Sequence, residues 1–140
     1  MKILSRDIGA VICTKSPDFT TEVVDSNNSN IKLSVGTSEV ELRKNIQVIT
    51  SINLIFSDKT GKKNFGEFVM YVALKVELSE EEVSDKNNIS EIKYFAISQS
   101  WPIFESQSKL LRELKFYVEN FPPEPSKEEI ISMLGTQEKK

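Results

Sequence analysis

Hydrophobic and polar positions alternate with period two through most of the first half of the chain, then change to a helical period. Residues 31–35 put Ile31, Leu33 and Val35 on one side and Lys32 and Ser34 on the other. Beyond Gly36, Val40 and Leu42 alternate with Glu39, Glu41 and Arg43. Residues 45–56 place Ile46, Val48, Thr50, Ile52, Leu54 and Phe56 on one face, and residues 67–78 do the same with Phe68, Met70, Val72, Leu74, Val76 and Leu78. Alternation of this kind predicts half-buried β structure. The polar segment SDKTGKKN between the two longest runs predicts a β-hairpin. An earlier strand is expected over 3–14, with a bulge at Gly9, then a turn at Pro17-Asp18 and a polar loop over 25–30.

The reverse face of the hairpin carries Gln47, Ile49, Ser51, Asn53 and Ile55 opposite Glu67, Val69, Tyr71, Ala73, Lys75 and Glu77. It is charged at its ends and apolar toward the middle, whereas a fully solvated sheet face is polar throughout. Two readings stand: a face covered by other parts of the same chain or left as tolerated apolar surface, or an interface with a second subunit or a ligand.

Past the sheet, Ser79-Glu80-Glu81-Glu82 has the spacing of a capping box, followed by a helix of one turn at most. Ser90 is a second candidate N-cap, and YFAI at 94–97 suits strand or helix equally. Trp101-Pro102 reads as a boundary, because proline fits the first turn of a helix. From there Ile103, Phe104, Gln107, Leu110, Leu111, Leu114, Tyr117, Val118 and Phe121 follow 3-4 spacing and predict a long amphipathic helix. Pro122, Pro123 and Pro125 end it. Ser126 to Glu129 repeats the capping-box spacing ahead of a short helix with Gly135 at its C-terminal cap.

Strands followed by helices predict an α+β fold: an antiparallel sheet of about four strands, then one long and one short C-terminal helix packed on one face. Length agrees, since 140 residues is one domain's worth, read here as a single domain over 1–140 with the tail 136–140 frayed. Apolar residues make up 39% of the chain, enough for a packed core.

Candidate chemistry is thin. The chain has no histidine, which removes Ser-His and Cys-His nucleophile pairs and histidine metal sites. The single cysteine, Cys13, lies in an apolar strand pattern and reads as structural. Glu80, Glu81, Glu82 and Asp85 lack the spacing of a calcium loop. Gly61-Lys62-Lys63 fails as a phosphate loop because Phe56 stands where its first glycine belongs. Lys109, Arg112 and Lys115 interleave with glutamates instead of forming a basic stripe, and the net charge is −3. No catalytic residue, metal site or cofactor is assigned, and nucleic acid is not an expected partner. A small enzyme working with carboxylates alone is the one catalytic reading left open. The apolar run Ile8 to Cys13 is shorter than a signal-peptide core or a membrane span, so no membrane insertion and a cytoplasmic setting are expected.

The order and spacing from about residue 30 to about residue 134 resemble the export chaperone SecB and its relatives. IKLSVGTSEVELRKNIQVITSINLIFSDKTGKKNFGEFVMYVALKVEL resembles that family's alternating strands around a polar hairpin. WPIFESQSKLLRELKFYVENFPPEPSKEEIISML resembles its long helix, proline-rich connector and short closing helix. The resemblance implies a non-catalytic chaperone that binds unfolded or non-native polypeptide through apolar surface grooves. It also implies a homo-oligomer, with sheets of different subunits packed into a tetramer. Protein transport is one family role and service to a toxin–antitoxin system another. The tail TQEKK lacks the acidic finish with which exporting members meet their motor protein. Ile49, Val69, Tyr71 and Ala73 are the residues expected at a client or subunit interface, with Trp101 near the groove. The alternative is a dedicated binding module, of the antitoxin or immunity type, that uses the same face on one folded target.

Overall fold

The structure, a computed structural model, describes residues 1–15, 29–58, 60, 64–109 and 122–138. Four strands form one antiparallel sheet: β1 (Lys2–Lys15), β2 (Ser29–Thr37), β3 (Asn45–Asp58) and β4 (Asn64–Glu77), in the order β1-β4-β3-β2. Three helices follow among the described residues: α1 (Glu80–Ser84), α2 (Asn88–Gln107) and α3 (Lys127–Glu138). This is the α+β arrangement that the pattern predicts, with the long and the short helix on one face of the sheet. The turn at Pro17-Asp18, the centre of the SDKTGKKN hairpin and the helical positions 110–121 lie outside the described residues.

The paired strands β3 and β4 make the floor of the core. Val48, Ile52, Leu54 and Phe56 of β3 and Phe68, Met70, Val72, Leu74 and Val76 of β4 have no solvent exposure. Burying a large apolar side chain stabilises a fold by about 1.5–3 kcal/mol, so this stripe is a large favourable contribution. The roof is α2, which turns Ile92, Ala96, Ile97, Ser100, Trp101 and Phe104 inward at 3-4 spacing. From α3, Ile130 and Leu134 complete the cover.

Thr50 interrupts the apolar stripe of β3, yet it is fully buried. Its hydroxyl lies 2.7 Å from Ser100 Oγ and 3.2 Å from Val72 O, and the Ser100 hydroxyl donates to Ala96 O at 2.8 Å. Buried hydroxyls need such partners, and this pair fixes which face of α2 meets the middle of β3.

Several boundaries differ from the sequence expectation. The long helix does not begin at Trp101-Pro102. It begins at Asn88, behind Asn87 and not Ser90, and runs through Pro102 to Gln107. Proline in a helix interior costs about 3 kcal/mol or more. Here Trp101 (5% exposed) and Phe104 (0%) are anchored in the core on either side of it, and their burial holds the helix across the defect. YFAI is therefore helical. Val40 and Leu42 lie in the β2–β3 connection, where Val40 is tucked into the core, and not in a strand. Gly135 is inside α3 instead of capping it. β2 begins at Ser29, within the segment expected to be loop.

The two caps behave as short-range chemistry dictates. At α1 the Ser79 backbone N–H donates to Glu82 Oε1 at 2.9 Å, and the Glu82 N–H donates to Ser79 Oγ at 3.2 Å, a complete capping box. At α3 the Glu129 N–H donates to Ser126 Oγ at 3.2 Å, but the return bond comes from the Ser126 hydroxyl and not its backbone N–H. Lys127 then joins α3 to α2, with Nζ 2.8 Å from Glu91 Oε1 and 5.4 Å from the centre of the Tyr94 ring.

The Ser79 backbone N–H, and after it the α-ammonium of Met1 at 3.1 Å, hold the Glu82 carboxyl below its ordinary value of 4.5. A depressed carboxylate contributes stability above its unfolded pKa and loses it as the pH falls through the folded one. Glu82→Gln is therefore expected to flatten the fall in stability below pH 4.5, read by urea unfolding at several pH values. Ser79→Ala, which removes only the hydroxyl acceptor, is expected to cost about 0.5–2 kcal/mol at neutral pH.

Candidate functional site

The register across the sheet defines the face turned away from the helices. Directly opposed residues share a face, so successive rows read Gln47, Lys75, Ser5; then Ile49, Ala73, Asp7; then Ser51, Tyr71, Ala10; then Asn53, Val69, Ile12; then Ile55, Glu67, Thr14. From β2, Gly36, Ser34 and Lys32 join the last three rows beside Ser51, Asn53 and Ile55. The centre is thus made of Ile49, Ala73, Tyr71, Val69 and Ile12 among small and polar residues, with charges at both ends and Asp7 entering beside Ala73.

Exposure divides the sheet sharply. Against the fully buried stripe on the helix side, Ile49 is 41% exposed, Tyr71 38% and Ile12 49%. Val69 and Ala73 are half-buried, shielded by their own neighbours in the sheet. The Ile49 backbone is pinned at the edge of the β2–β3 connection: its N–H donates to Ser38 Oγ at 3.0 Å and its carbonyl accepts from the Ser38 N–H at 2.8 Å. The apolar side chain therefore stands on rigid backbone.

Four of the five residues singled out in the sequence, Ile49, Val69, Tyr71 and Ala73, come together on this face. Trp101 does not join them. It lies on the other side of the sheet, in the core, edge-to-face on Phe104 with ring centres 6.0 Å apart.

Strand β1 adds apolar surface that the pattern did not single out. Leu4 is 48% exposed, Ile8 47%, Val11 36% and Ile12 49%. Ile8 and Val11 oppose Val72 and Met70 and so belong to the helix side, while Ile12 opposes Val69 on the open side. The edge strand is thus apolar on both faces at once. Its register slips between Ile3 and Ser5 and between Ile8 and Ala10, leaving Leu4 and Gly9 without a direct partner. Such slips reverse the in–out parity of a strand, which hides its two apolar sets from a period-two reading.

The remaining candidates gain no site. Cys13 is half-buried opposite Phe68, and Glu80, Glu81 and Glu82 are the acidic first turn of α1. Among the described residues no three histidine, cysteine, aspartate or glutamate side chains are placed to hold a metal ion, and no helix is long and apolar enough to cross a membrane.

No protein-family model matches the sequence, and no curated protein matches it. Among solved structures, the chain is similar to the Mycobacterium tuberculosis Rv1957 SecB-like chaperone in complex with a ChAD peptide from the Rv1956 HigA1 antitoxin. The TM-score is 0.66 at 9% sequence identity, over 89% of this chain and 91% of that one. The fold is that of a SecB-like chaperone, as the order of strands and helices suggests.

Proposed function

We propose that this chain is a non-catalytic, cytoplasmic chaperone that holds unfolded or non-native polypeptide on the open face of its sheet. The observation that carries this reading is the contiguous apolar centre formed by Ile49, Tyr71, Val69, Ala73 and Ile12 on the reverse of strands β3 and β4, whose helix side is buried, and of the neighbouring edge strand β1. A flat, rigid apolar surface with charged ends takes extended segments of many sequences, because it asks for apolar side chains at intervals and for little else. The SecB-like fold supports the reading.

The same proposal makes the chain a homo-oligomer joined through β1. Soluble proteins blunt free sheet edges with charge or proline. Residues 8–14 of β1 carry neither and are apolar on both faces, although the slip at Gly9 and the flanking Arg6, Asp7 and Lys15 interrupt that margin. A second copy continuing the sheet past β1 pairs its free backbone groups and flanks the apolar side chains on both faces, which a ligand lying on one side does not. Val11→Lys is expected to lower the solution mass to that of a monomer while the circular dichroism spectrum stays as in the parent. An unchanged mass would show that β1 is not the joint.

The test of function is light scattering by a chemically unfolded protein diluted into buffer. The purified chain is expected to suppress its aggregation at near-stoichiometric amounts without nucleotide. A strict monomer with no affinity for unfolded chains would overturn the proposal. The neighbouring structure's antitoxin peptide favours one second reading, a dedicated partner for a single target. A pull-down that returns one stoichiometric protein instead of many distinguishes it.

A further inference from the structure

We draw no further inference here: the strongest candidate, the cleft of about 560 Å³ between the end of the β3–β4 pair and α1, sets Lys44 with Glu77 and Glu80 over Leu78 and Val83, and nothing in the structure shows what covers it.

Discussion

Phe68→Ala is expected to lower the free energy of unfolding by about 3–5 kcal/mol. The Phe68 ring is fully buried in β4, opposite Leu54 of β3 and Cys13 of β1. Its removal takes apolar surface out of the core and leaves a cavity that strands paired on both sides cannot close. A domain of ordinary stability has about 5–15 kcal/mol in total, so the variant should show a markedly lower urea midpoint. A loss under 1 kcal/mol would mean that the sheet floor is not the stabilising core described above. The neighbouring position Val69, one residue on and half-buried on the open face, supplies the internal contrast. Its replacement by alanine should cost much less.

The paired change Ile49→Glu with Tyr71→Glu is expected to abolish the holding of unfolded clients and to leave the fold intact. Both side chains are exposed, 41% and 38%, in strands whose other face is sealed, so two carboxylates there meet water and not the core. Surface changes of this kind usually move stability by no more than about 0.5 kcal/mol. A client segment, by contrast, would have to desolvate both charges. Central anchors of an interface commonly contribute 2 kcal/mol or more, which is over tenfold in affinity for each. The measurement is titration of a fluorescently labelled unfolded polypeptide, with thermal unfolding beside it. Affinity unchanged within twofold at unchanged stability would remove the open face from the proposed role.

The sequence made β3 and β4 legible because, among the described side chains, each strand turns one side into the core and leaves the other at least partly exposed. Period two then records the geometry directly. In β1 the strand and its bulge at Gly9 agree with the sequence expectation, but the two apolar sets do not show. The register slips at Leu4 and Gly9 change the parity twice, so Ile8, Val11 and Ile12 read as one mixed apolar strand and not as two exposed sets. The start of the long helix differs from the sequence expectation for a different reason, its expected positions 110–121 lying outside the described residues. Proline at position 102 carries a strong local preference for a helix start, and the burial of Trp101 and Phe104 from the sheet side overrode it. That burial also explains why Trp101 lies apart from the other four residues: an aromatic next to a proline resembles a junction in the sequence, but here it lies in the interior of a continuous helix. The caps were readable because they depend only on residues three apart, as Ser79 with Glu82 and Ser126 with Glu129 show.

The two outer strands of the sheet are unequal: β1 has 14 residues and β2 has nine. A joint of β1 on β1 about a twofold axis matches equal lengths, uses each copy's long margin once and ends with the pair. A joint of β1 on β2 would instead be heterologous and could repeat from copy to copy, which is the geometry of a ring or a fibre. If β1 is the joint, as proposed, a twofold pair uses up the apolar margin of both copies and leaves no such margin for a further copy to extend.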